Sequence, residues 1–202
     1  KLGHFLYPGK EFTGKLLVKN IGIPRALLDD EKILRETLDE ELAKGSVMPR
    51  PLNAHKGSCG KILVVAGSRG MTGAAALSSM AALRAGAGLV TLAVAESLHD
   101  IMEAKLTEVM TVGVDDKETP GCLGRAALSK LLELAENMDG LVIGPGLGRT
   151  PETMELVREL TVKAKRQVVL DADGIYAFKG QGVLLRNAQH KPVLTPHLGE
   201  FA

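Results

Sequence analysis

The chain has 202 residues, 45% hydrophobic and 24% charged, the balance of a folded protein that can bury its own core rather than of a disordered one. With 25 Lys and Arg against 24 Asp and Glu, the net charge of +1 supplies no field that would gather nucleic acid or an anionic membrane. Aromatic residues make up 3% and Trp is absent, which leaves little for stacking on single strands.

No nucleic-acid or membrane partner is therefore expected, and every apolar run is interrupted well short of the roughly 18 residues that a membrane span needs. Cys59 and Cys122 lie far apart without the paired spacing of a zinc or redox site, so two free thiols, no metal and a cytoplasmic address are expected. The start at Lys1 and the end at Phe201-Ala202 suggest a chain cut from something longer.

In chain order, Leu6-Tyr7-Pro8-Gly9 is a turn signal, and residues 14–23 read as one β-strand closed by Pro24. From Asp29 the apolar positions Ile33, Leu34, Leu38 and Leu42 take helical spacing among charges, with Asp29 or Asp30 as N-cap and Gly45 as the stop. Pro49-Arg50-Pro51 follows, and a boundary falls near residue 50. Beyond it, strands and helices alternate. Strands are predicted at 61–66, 89–95, 141–143, 167–171 and 192–194, and helices at 71–85, 97–105, 124–137 and 151–165. Strands that are almost wholly apolar, alternating with helices, imply an α/β fold of three layers, α/β/α, around a mostly parallel sheet.

In such a sheet ligands sit beyond the carboxyl ends of the strands. After 61–66 comes Gly67-Ser68-Arg69-Gly70-Met71-Thr72-Gly73, and after 141–143 comes Gly144-Pro145-Gly146-Leu147-Gly148. Asp171-Ala172-Asp173-Gly174 and Thr195-Pro196-His197-Leu198-Gly199-Glu200 follow the next two strands, and Glu96 follows 89–95. Gly67, Gly70, Gly144 and Gly148 are candidate site-lining residues, either as plain strand-to-helix turns or as backbone left open for an anionic or dinucleotide ligand. Asp171 and Asp173 are candidates on the same ground, Asp173 alternatively as a helix cap. Lys56, in His55-Lys56-Gly57 ahead of the first strand, is a candidate for holding phosphate. The first glycine loop reads G-x-x-G-x-x-G and nothing matches a P-loop or a G-x-S-x-G elbow, so a plain dehydrogenase, a P-loop enzyme and an α/β hydrolase lose ground.

Taken in order, His55-Lys56-Gly57, Ala66-Gly67-Ser68, Met71-Thr72-Gly73-Ala74-Ala75, Gly86-Ala87-Gly88, Gly144 to Gly148, Asp171-Ala172-Asp173 and Thr195 to Glu200 resemble the ADP/ATP-dependent NAD(P)H-hydrate dehydratase family. The resemblance implies a ribokinase-like fold, incomplete at its C-terminus. It also implies restoration of NAD(P)H from its hydrate by elimination of water, with ADP or ATP and Mg²⁺ as cofactors. Residues 51–202 would be the N-terminal part of the dehydratase domain and 26–50 a helical connector. Residues 1–25 resemble, less specifically, the tail of the NAD(P)H-hydrate epimerase domain fused ahead of it in bifunctional members.

Carried over by motif, Ala75 (or Ala74, one register away), Gly146 and His197 would contact the hydrated dinucleotide. Gly146→Val is accordingly expected to harm binding more than folding. The family's base lies in a Gly-Thr-Gly-Asp segment; this sequence contains none, so no catalytic residue is assigned. A homo-oligomer is expected. A vitamin-precursor kinase of the same superfamily and a non-catalytic dinucleotide-binding module are the rival readings.

Overall fold

The computed structural model describes residues 2–30, 32–33, 38–47 and 49–200. Leu34 of the expected charged helix lies outside the described residues, as do Lys1, Phe201 and Ala202. The chain divides into two compact units, Lys1–Pro49 and Arg50–Ala202.

In the first unit two short 3-10 turns, Leu2–His4 and Gly9–Phe12, are followed by extended chain, then helix α1 (Arg25–Leu28) and helix α2 (Glu40–Ser46). The strand expected at 14–23 does not form. An extended segment becomes a strand only when a neighbour supplies a ladder, and residues 16–24 carry no strand pairing. The expected helix begins later than Asp29: Asp30 spends its carboxylate on its own turn, accepting from Lys32 N at 2.9 Å, and Asp39 caps α2 by accepting from Leu42 N at 2.8 Å.

The second unit is the α/β/α domain. Its strands are β1 (Lys61–Val65), β2 (Leu89–Ala95), β3 (Met110–Val114), β4 (Gly140–Ile143), β5 (Gln167–Leu170) and β6 (Val193–Leu194). They form one sheet in the order β3-β2-β1-β4-β5-β6, and every pairing is parallel. Consecutive residues of β1 and β2 are buried, from Leu63 to Val65 and from Val90 to Ala95, so both faces of the sheet are covered.

The covering helices are α3 (Thr72–Ala85), α4 (His99–Lys105), α5 (Leu128–Glu136) and α6 (Pro151–Lys163), with the short α7 (Asp173–Tyr176) after β5. Right-handed crossovers put α3 and α4 on one face and α5 and α6 on the other; α3 touches α4, and α5 touches α6. Proline at the first helical position and Thr150, whose Oγ1 accepts from Thr153 N at 3.2 Å, set the start of α6. Among the described residues no helix is long and apolar enough to cross a membrane.

β3 is a strand that the sequence pattern does not announce. Gly113 interrupts it and Met110 is exposed, as suits an edge strand held by β2 alone. The chain leaves β1 toward β3 in one direction and returns at β4 to build the other half. The direction of winding therefore reverses between β1 and β4, where an open parallel sheet forms its crevice.

Candidate functional site

Loops after β1, β4, β5 and β6 meet on the carboxyl edge of the sheet and are tied to one another in strand order. Gly67 N donates to Pro145 O at 2.9 Å and Ser68 Oγ to Gly146 O at 2.9 Å, joining the first loop to the fourth-strand loop. That loop is joined to the next by Asp173, whose carboxylate accepts from Gly148 N at 3.0 Å and from Arg149 Nε at 2.7 Å. Asp171 ties on the last, accepting from Thr195 Oγ1 at 2.7 Å. Glu96 stands apart, its carboxylate against Gly113 of β3.

The first turn of α3 is wedged between two of these loops. A Cβ on Gly146 would lie 2.9 Å from Ala74 Cβ and 3.0 Å from Met71 Cβ, and one on Gly67 would lie 2.8 Å from Ala75 Cβ. Gly146 is buried and has φ +63°. Its missing side chain is thus required by the protein's own packing, where the sequence led us to expect space for a ligand. Ala75 is fully buried and Ala74 half-buried, so Ala74 is the one nearer the surface of the turn. Gly144 is also buried, where a Cβ would lie 1.9 Å from Asp171 O. Gly148 is half-buried and Gly70 exposed, with nothing within 4 Å of where its Cβ would stand.

Lys56 is not on this edge. Its carbonyl and Cys59 crowd Gly88, which precedes β2, so His55 to Gly60 lie at the amino ends of β1 and β2. Five residues of strand, at about 3.3 Å each, separate that end from the other. The expectation that Lys56 lines the same site is corrected accordingly.

Beside the glycine loops opens a cavity of about 560 Å³, lined among others by Arg149, Tyr176, Lys179, Leu194, His197 and Glu200. Of the residues singled out for substrate, only His197 is among its lining. The imidazole is exposed but committed: Gly199 N donates to Nδ1 at 3.0 Å, and Nε2 lies 3.2 Å from Glu200 Oε1. With Nδ1 accepting, a neutral ring carries its proton on Nε2, facing Glu200. The Glu200 carboxylate also accepts from His197 N at 3.0 Å, which folds the loop on itself.

Asp173 does not cap α7. The residue ahead of that helix is Ala172, held at φ 49° and ψ −115°, a conformation costly for alanine, and the Asp173 carboxylate reaches across to Gly148 and Arg149 instead. Asp173 is buried, 7% exposed, so its two donors are what make the burial of its carboxylate tolerable. Hydrogen bonding to Asp173 holds the Arg149 guanidinium above its ordinary value, and the cation stays charged throughout. Its central carbon sits 4.1 Å from the centroid of the Tyr176 ring. Arg149 and Tyr176 were missed from the sequence. The signal available was that Arg149 is the first charged residue after the three glycines at the end of β4.

The sheet order, the covering helices and the loops gathered on one edge define a ribokinase-like α/β/α protein. A ribokinase-like superfamily protein of Enterococcus faecalis superimposes with a TM-score of 0.66 at 25% identity, covering 81% of this chain and 54% of that one. The model of the NAD(P)H-hydrate dehydratase family matches residues 62–202, and the chain belongs to that family. It is 43% identical to the bifunctional NAD(P)H-hydrate repair enzyme of Moorella thermoacetica over its whole length, which is 38% of that protein, and 37% identical to that of Thermofilum pendens, again 38%. The ADP/ATP-dependent NAD(P)H-hydrate dehydratase of Bacillus subtilis, co-crystallised with ATP/Mg²⁺, aligns with a TM-score of 0.59 at 27% identity, covering 81% of this chain and 53% of that one. The chain thus spans well under half the length of the curated relatives it matches.

Proposed function

We propose that this chain forms the substrate side of a nucleotide-dependent NAD(P)H-hydrate dehydratase, a hydro-lyase that restores NADH or NADPH from forms hydrated at C6 of the nicotinamide ring. The observation that carries this reading is the family match over 62–202, which takes in every loop of the carboxyl-edge cluster. Residues 1–25 are read as the tail of an epimerase-like domain and 26–50 as a connector, in keeping with bifunctional relatives that align over the whole chain. We place the protein in the cytoplasm, where thiols such as Cys59 and Cys122 stay reduced, and we expect a homo-oligomer.

Hydroxide is a poor leaving group and phosphate a good one. A bound nucleoside triphosphate would supply the phosphoryl group that converts the C6 hydroxyl into phosphate; the C6–O bond then breaks as the ring nitrogen's lone pair pushes in, and loss of the C5 proton completes NAD(P)H. Balanced, hydrate and ATP give NAD(P)H, ADP, phosphate and a proton. This chain's part is positioning. The joined loops hold Ala74, Gly146 and His197 on one edge, and the first turn of α3, packed against Gly67 and Gly146, makes that wall rigid. Neither Asp171 nor Asp173 is assigned as base, because Thr195 occupies the first and Gly148 with Arg149 the second.

The donor set around the cavity does not fit a magnesium ion. Its carboxylate, Glu200, faces His197, and the Asp173 carboxylate beside it is taken by Arg149. No step is routed through the metal here. The test is to incubate hydrated NADH with ATP or ADP and follow recovery of NADH absorbance, using the intact protein that carries this chain. Nucleotide-dependent recovery is expected. Absence of recovery with either nucleotide overturns the reading, and a phosphorylated alcohol accumulating without dehydration returns the kinase alternative.

A further inference from the structure

We infer that Arg149 is a phosphate-recognising residue of this site, held in place for that task by Asp173 and Tyr176. The inference rests on the reading that the cavity belongs to the dinucleotide and nucleotide site.

Arg149 follows the glycine loop after β4 directly and lines the cavity beside β6, so it bridges the two. Its side chain is 56% exposed, yet two contacts fix it: Nε donates to Asp173 Oδ1 at 2.7 Å, and the guanidinium carbon sits over the Tyr176 ring, 4.1 Å from its centroid. Among the described residues its terminal nitrogens meet no acceptor, so both keep their donors. A guanidinium anchored through Nε and stacked on a ring presents those two nitrogens as a preformed fork, the geometry that matches two oxygens of a phosphate. Preorganisation matters because an unanchored arginine would lose rotamer freedom on binding.

The surroundings agree. Lys179 joins Arg149 on the cavity wall, with its ammonium 5.7 Å from the Tyr176 centroid, so two cations face the wall's one carboxylate, Glu200, which hydrogen-bonds His197 and also attracts Arg149. The buried Asp173 takes Nε and leaves the two terminal nitrogens to a ligand. Its other oxygen takes Gly148 N, so the same carboxylate sets the glycine loop and the cation together. Tyr176 and Asp173 are positioning residues; Arg149 is the one that touches ligand. The phosphate could be the dinucleotide's or the nucleotide's, and the chemistry is common to both.

The test is calorimetric binding of NADH, of ATP and of reduced nicotinamide riboside, which has no phosphate, to the intact protein and to its Arg149→Ala and Arg149→Lys variants. Loss of a charge-assisted hydrogen bond predicts about 10- to 100-fold weaker binding of a phosphate-bearing probe to Arg149→Ala. Arg149→Lys should fall between, since it keeps the charge without the fork. The salt dependence of affinity should become shallower in Arg149→Ala, and riboside binding should not change.

Weakening confined to NADH assigns the phosphate to the dinucleotide, and weakening confined to ATP assigns it to the nucleotide. Equal affinity of wild type and both variants for NADH and ATP overturns the inference. So does a riboside affinity that falls in parallel, because Arg149 would then only shape the wall. Asp173→Asn should reproduce the loss, with no further loss in the double variant with Arg149→Ala; additive losses overturn the positioning role. Wild type that restores hydrated NADH while Arg149→Ala binds normally sinks this inference alone. Wild type that restores none sinks the functional reading, whatever Arg149 does to ATP.

Discussion

Gly146 shows how a residue read as an opening can be a keystone. It is buried at φ +63°, and the space over its Cα belongs to Ala74 and Met71. A β-branched side chain there meets both a backbone it rarely adopts and a wall of packed atoms, which together cost roughly 2–5 kcal/mol. Gly146→Val is therefore expected to lower the melting temperature markedly, as read by thermal denaturation, in place of the binding-selective effect that the sequence suggested. A melting temperature within experimental scatter of wild type would return Gly146 to the ligand. The glycines and alanines were legible as a cluster because small residues at strand ends mark close approach. Which partner approaches was not legible, since a neighbouring helix turn and a ligand demand the same absent side chain. Arg149 and Tyr176 escaped for a different reason: the arginine meets the ring directly and is anchored by a buried carboxylate 24 residues away, and no local periodicity records either contact.

Among the elements, the loop between β3 and α5 has a part in the site that its composition hides. Asp116 is 8% exposed, and its carboxylate accepts from Ser97 Oγ at 2.6 Å, Gly121 N at 2.6 Å and Ser97 N at 3.3 Å. Gly121 in turn accepts through its carbonyl from Arg69 N at 2.8 Å, so this loop supports the glycine loop after β1. Burial pushes the Asp116 carboxyl up, but the Ser97 and Gly121 donors outweigh it and hold the group below the ordinary carboxylate range. A folded-state value below the unfolded one contributes stability that is complete above the unfolded value, near about 3.9, and is lost as pH falls through the folded one. Chemical denaturation from neutral pH to below 4 should show wild type losing stability over that window. Asp116→Asn should lose less over the same window while starting less stable; parallel curves would deny Asp116 this part. The apolar strands and amphipathic helices of the second unit were readable because their periods are local. β3, with Gly113 in it, was not, and the strand expected at 14–23 failed because pairing is a property of two segments and the sequence shows only one.

The whole molecule divides its physics unevenly. Among the described residues, every buried residue of the hydrophobic core, from Leu63 to Phe178, belongs to the second unit, and none of 1–49 is buried. In the first unit Phe12 is 87% exposed, Val18 81% and Ile21 80%. A segment whose described apolar side chains are at best half-buried contributes little hydrophobic stabilisation to set against the entropy of ordering it. The chain shortened to begin at Arg50 should therefore melt within a few degrees of the full chain, and it should keep the cooperative unfolding of a single core. It should also associate less, because exposed apolar side chains in number promote contact between molecules. Scanning calorimetry and size-exclusion chromatography of the two lengths decide the matter. A shortened chain that melts far lower would mean that residues 1–49 stabilise the domain after all. One that associates as strongly as the full chain would move the sticky surface onto the α/β/α unit.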